Sequence, residues 1–96
     1  MAGGWVYILA SRYRGTLYTG ITSDIARRIC QHRDGSGSGF AKRYEVVRLV
    51  FAERHEGIDE AITREQAIKK WRREWKIELI EQANPDWNDL FDVISA

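Results

Sequence analysis

Five side chains in this sequence have types that suit chemistry at an anionic phosphate centre: Tyr7, Tyr18, Arg28, His32 and Glu65. An arginine can hold a non-bridging oxygen and stabilise charge as it develops. A carboxylate can offer a hard divalent ion the one or two anionic oxygens such an ion accepts while keeping most of its water. A tyrosine at its ordinary pKa is a poor base near neutral pH, so whichever ring orients or deprotonates an attacking water needs help from a cation or from His32. These residue types fit phosphodiester hydrolysis, and nothing in them chooses between the two tyrosines.

The local sequence dictates how they are held. Trp5 to Ala10 is compact and apolar, Ser11 to Thr16 is polar with a glycine, and Leu17 to Thr22 returns to strand-favouring residues, which spells a hairpin after a short lead, Met1 to Gly4. Alternation puts Trp5, Tyr7 and Leu9 on one face and Val6, Ile8 and Ala10 on the other. If odd positions of the first strand pair with even positions of the second, Tyr7, Tyr18 and Gly20 share a side. Gly20 then leaves a gap where a ligand can approach the backbone. Ser23 or Asp24 caps a helix with Ile25 and Ile29 as its buried seam; Arg28 and His32, four apart, project along one side, and Arg27 and Arg33 face solvent.

Val46 to Glu53 reads as a third strand pairing with the hairpin, and Phe40 to Tyr44 as the chain's return toward the core. Glu60 to Trp71, capped at Asp59, and Arg73 to Ala83 read as helices, the second stopped by Asn84-Pro85. Trp87 to Ile94 forms a final apolar turn or helix. Glu65 falls in the apolar stripe with Ala61 and Ile68. Burying a carboxylate there requires a cationic partner or a metal ion, and spacing leaves both open.

The tyrosine triplets carry a resemblance. W-V-Y around Tyr7 and Y-T-G at Tyr18 to Gly20, followed by Arg28, Glu65 and Asn84 in order, resemble the GIY-YIG nuclease family, and more its small stand-alone bacterial members than the intron-encoded homing endonucleases. The first triplet keeps the tyrosine and loses the glycine. The resemblance implies an α+β fold, a small three-stranded antiparallel sheet flanked by helices in the order β-β-α-β-α-α, spanning residues 1 to 96. It also implies a magnesium- or manganese-dependent endonuclease acting on DNA, with Tyr7, Tyr18 and Arg28 catalytic, His32 assisting, Glu65 holding the metal, and Asn84 or its neighbour Asn88 as the late asparagine. The alternative within the fold is a nucleic-acid-binding module with little cleavage, since strand aromatics also stack bases.

Composition narrows the rest. Ninety-six residues, 44% of them hydrophobic, suffice for one core. No apolar run is long enough to cross a bilayer and no signal-peptide pattern opens the chain, which predicts a soluble cytoplasmic protein. Cys30 is the only cysteine, so an internal disulfide and a thiolate cluster are excluded, and its helical setting predicts a small packing residue. The net charge of +1 conceals a division. Residues 1 to 50 hold eight Lys and Arg against three acids, and residues 51 to 96 hold seven against eleven. The basic half, with Arg12 and Arg14 beside Tyr13 at the hairpin tip and Lys42 further on, can meet a phosphate backbone.

Other motifs lead nowhere. Asp34 to Gly39 is glycine-rich without the lysine or preceding strand of a phosphate cradle, and His32-Arg33-Asp34 stands alone without any further kinase element. Asp86, Asp89 and Asp92 lack the glycine bend and terminal glutamate of a calcium loop. A protein-interaction surface built on Trp71, Trp75 and Trp87 is the reading from another class. No zinc finger, helix-turn-helix or basic tail reads base sequence, so a branched, flapped or single-stranded DNA is the expected partner.

Overall fold

The computed structural model describes residues 3 to 35 and 39 to 95, without the side chains of residues 40 to 42 and 95. β1 (Gly4–Ala10) lies at the centre of a three-stranded antiparallel sheet, between β2 (Leu17–Thr22) and β3 (Arg48–His55). Tyr7 pairs with Gly20 and Leu9 with Tyr18, so odd positions of β1 do meet even positions of β2. β3 starts and ends two residues later than its β-branched run suggested, and it carries a bulge against Ile8 and Leu9. The bulge lets neighbouring Val50 and Phe51 both enter the same core.

The sheet is covered on both sides. Val6, Ile8 and Ala10 pack with Val50 and Phe51 against Ala61 and Ile68 of α3 (Ile58–Lys70), Ile80 of α4 (Arg73–Ala83), and Trp87. On the other face, Tyr7, Leu9 and Leu49 pack with Ile25 and Ile29 of α1 (Ile25–Asp34), and the tail residues Leu90, Phe91 and Ile94 close over them. α1 starts where Asp24 accepts a hydrogen bond from the Arg27 amide at 3.2 Å, and it ends at Gly35, whose φ of 86° suits a residue without a Cβ.

Two short helices extend the expected order: α2 (Gly39–Tyr44) and α5 (Phe91–Ser95). α2 replaces a plain return because Ala41, Lys42 and Arg43 are good helix formers once the glycine run is past. α3 begins earlier than Asp59, at an N-cap on Gly57, with the Glu60 carboxylate accepting from the Gly57 amide at 3.2 Å. The expected lead is shorter than Met1 to Gly4: Gly3 and Gly4 are buried, Gly4 opens β1, and Met1 and Ala2 lie outside the described residues. Much of the Asp34 to Gly39 loop, Ser36 to Ser38, also lies outside them. Cys30 is exposed, on the face of α1 turned away from the sheet, so it is not a packing residue.

Candidate active site

Tyr7 is fully buried, and its ring lies across β2. A Cβ built on Gly20 would come within 2.5 Å of the Tyr7 Cζ and hydroxyl, so the glycine gap is filled by the protein's own phenol and not left for a ligand. That placement carries the hydroxyl toward an edge strand, where α1 delivers its partners. Arg28 Nε donates to the Tyr7 oxygen at 3.4 Å, and Arg28 Nη1 donates to Gln31 at 3.2 Å. The Tyr7 oxygen and His32 Nε2 lie 3.0 Å apart. Tyr18 completes the cluster, its ring centroid 6.4 Å from that of Tyr7 and 5.3 Å from that of His32.

Donor and acceptor logic fixes one of the two bonds at the Tyr7 oxygen. A guanidinium can only donate, so that oxygen accepts from Arg28; toward His32 Nε2 the phenol donates when the imidazole carries its proton on Nδ1 and accepts when Nε2 carries it. His32 Nδ1 is buried and meets no partner among the described residues. Burial, with the Arg28 charge second, lowers the His32 pKa and keeps the ring neutral and able to accept. Burial also raises the Tyr7 pKa, against the opposing hydrogen bond from Arg28, so the phenol keeps its proton near neutral pH.

Glu65 comes from the other layer. It shares the buried stripe of α3 with Ala61 and Ile68, which pack on the Val6 and Ile8 face, so the cluster is not assembled from one face alone. Its charge still acts on the Tyr7 hydroxyl and contributes to raising that pKa. Only 7% of Glu65 is exposed, and its carboxylate meets Lys69 Nζ at 2.6 Å, one helical turn on.

A family model described as the GIY-YIG catalytic domain matches residues 3–78. This chain belongs to the GIY-YIG family. A UPF0213 protein of Staphylococcus saprophyticus is 37% identical over 78 residues, covering 81% of this chain and 94% of the relative. A second, from Staphylococcus haemolyticus, is 37% identical over 82 residues, covering 85% and 99%. Among solved structures, the solution structure of a UPF0213 protein from Bacillus halodurans is 30% identical and superimposes with a TM-score of 0.57 over 91% of this chain and 92% of that one. The family's fold is that of a nuclease-like domain, with nucleic acid as the general class of substrate.

Within the GIY-YIG frame, the remaining predicted contacts divide. Arg12 is exposed at the hairpin tip. Arg14 is held there by a bidentate pair with Glu81, both bonds at 2.9 Å, which ties the tip to α4. Asn84 turns inward: its amide donates to the carbonyls of Val50 at 3.0 Å and Asn88 at 2.9 Å and accepts from the Asn88 amide at 3.0 Å. Asn84 therefore builds the turn that seats Trp87, and Asn88 serves it through its backbone. The Lys42 side chain lies outside the described residues. Sequence reading missed Gln31, which lies one turn beyond Arg27 and steadies Arg28; the i, i+3 spacing from Arg28 was its signal. A groove of about 430 Å³ opens beside this pair, between the end of β2 and the start of α1, with Arg27 and Arg28 in its wall.

Proposed function

We propose that this GIY-YIG domain is a divalent-metal-dependent endonuclease that hydrolyses phosphodiester bonds in DNA, selecting by strand structure and not by base sequence. The observation that carries this is the contact set at Tyr7: one phenol oxygen receives a hydrogen bond from a permanent cation and lies 3.0 Å from the Nε2 of a buried histidine. With the His32 proton on Nδ1, Tyr7 passes its own proton to His32 Nε2 as it draws one from an attacking water. The phenol thus acts as a base without first becoming a free phenolate. Arg28, beside the groove, holds the phosphate and stabilises charge on it. Tyr18 walls the same space and orients the water.

The donor set fits a water-rich metal ion. No group of three or more His, Cys, Asp or Glu is close enough to cage a metal among the described residues, whereas magnesium or manganese accepts a single carboxylate and keeps its own water. Glu65 is that carboxylate, buried in an apolar stripe with one exposed ammonium as its partner. When bound, the ion would polarise the phosphate and stabilise the leaving oxygen.

The Glu65–Lys69 pair favours a second reading, a nucleic-acid-binding module in which Glu65 is structural. Glu65→Gln separates the two. If Glu65 holds the metal, magnesium-dependent nicking collapses while thermal unfolding and DNA binding stay close to the parent's. If it is only the ion-pair partner of the exposed Lys69, the change costs little stability, and nicking and binding both stay close to the parent's. A variant that nicks as well as the parent removes Glu65 from the chemistry. Running single-stranded, duplex, flapped and branched DNA side by side, with and without magnesium, identifies the substrate.

A further inference from the structure

The acidic balance of residues 51 to 96 hides a cationic corner. Between Lys69 and Lys76 the chain reads K-K-W-R-R-E-W-K, with five cations, two tryptophans and a single acid in eight positions. Trp71 and Arg72 are extended and join α3 to α4. Trp71 and Trp75 meet edge to face at 6.3 Å, and they line an open hollow of about 370 Å³ with Arg64, Glu78, Leu79 and Gln82. Trp75 is 49% exposed, unlike the fully buried Trp87. Arg72 lies over the Trp75 ring at 5.3 Å and Arg64 over Trp71 at 5.2 Å, the latter also bound to Glu53 at 3.0 Å.

We infer that this corner is a second nucleic-acid contact, where an unpaired base stacks on Trp75 while Arg72, Lys70 and Lys76 hold its backbone phosphates.

Charge complementarity supplies the occupant. Arg73 and Lys69 lie near enough to Lys76 that, after partial burial, their repulsion lowers its pKa, so positive charge accumulates here without an equal number of carboxylates. An anionic polymer relieves that repulsion, and its bases supply flat faces that an exposed indole accepts. A base inside a duplex has no free face to offer. The corner also adjoins the proposed catalytic cluster: Lys69 bonds Glu65, and Arg73 donates to the Gly15 carbonyl at 2.7 Å, fixing α4 against the hairpin tip. Lys69 thus belongs both to the corner and to the surroundings of Glu65. The inference rests on the nuclease reading and adds to it that the substrate carries an unpaired segment.

The test compares the binding of a labelled oligothymidylate with that of a blunt duplex. Trp75→Ala should weaken oligothymidylate about tenfold, Trp75→Phe should restore most of it, and duplex affinity should change less than about twofold. The double variant Arg72→Ala/Lys76→Ala, at one exposed and one half-buried position, should flatten the salt dependence of oligothymidylate binding by about 1.4 units of slope. It also carries the test should Trp75→Ala fail to fold. Unchanged oligothymidylate affinity in a folded Trp75→Ala, equal losses on both ligands, or an unchanged salt slope in the double variant overturns the corner. A parent that nicks duplex DNA and ignores oligothymidylate overturns the corner alone. A parent that grips oligothymidylate through Trp75 and never nicks any DNA overturns the nuclease reading alone.

Discussion

His32 is the residue whose charge state governs the proposed chemistry. Protonated, it can no longer accept from Tyr7, and a second cation would face Arg28. Because burial lowers its pKa, the neutral, competent ring persists to more acidic pH than an ordinary histidine allows. Nicking should therefore hold down through the ordinary imidazole value of about 6.5 and fall only below it. The same shift acts on folding with a definite sign. The unfolded chain binds the His32 proton first as pH falls, so this contribution to stability is full at neutral pH. It is lost between the ordinary value and the depressed one. Tyr7→Phe keeps the buried ring and removes both hydrogen bonds. It should cost about 1 kcal/mol of stability and at least about a hundredfold in nicking. A Tyr7→Phe protein with parental nicking and an unaltered acid limb would place the base elsewhere.

Pairing between β1 and β2 is what brings the phenol to its partners. Gly20 sits opposite Tyr7, and the ring uses the space that any other side chain would fill. Gly20→Ala should leave the sheet intact, since alanine's backbone preferences suit a strand, but it drives a methyl into Cζ and the hydroxyl. The ring must shift from His32 and Arg28. The expected cost is about 1–3 kcal/mol in stability, with a larger proportional loss of nicking, readable by comparing thermal unfolding with cleavage. An active Gly20→Ala protein would show that the hydroxyl tolerates displacement. α1 contributes through periodicity: Ile25, Ile29 and His32 are its buried positions, and this stripe is what turns His32 under the sheet while Arg28 stays half exposed at the groove.

For the molecule as a whole, binding depends on how charge is shared among pairs. Arg33 stacks on Phe91 and bonds Asp89, Arg14 is taken by Glu81, and Arg64 by Glu53, so several cations counted from the sequence serve the fold. Arg27 and Arg28 both line the groove, but only Arg28 reaches the Tyr7 oxygen. Arg28→Ala should weaken DNA binding and abolish nicking, whereas Arg27→Ala should lower affinity by one phosphate contact and leave the turnover of bound DNA near the parent's. Equal effects on both steps from the two substitutions would mean a diffuse basic surface without a defined cleft. No helix among the described residues is long and apolar enough to cross a membrane.

Local sequence by itself determined the hairpin, the alternation of its two faces, the seam of α1, the α4 boundaries and the buried position of Glu65. Each depends only on the spacing, propensity or chain-breaking of neighbouring residues. The tertiary structure decided what those elements exchange. Spacing could put Glu65 in an apolar stripe, yet packing of Ala61 and Ile68 chose the layer opposite Tyr7, and Lys69 became its partner. Gly20 looked like an opening until the cross-strand register laid a phenol over it, and Asn84, read as the family's late asparagine, gives its amide to the Val50 carbonyl 34 residues away. Cys30, Trp75 and Trp87 are apolar residues of helices or turns whose exposure no local pattern fixes, because burial is a property of the surface an element meets and not of the element alone.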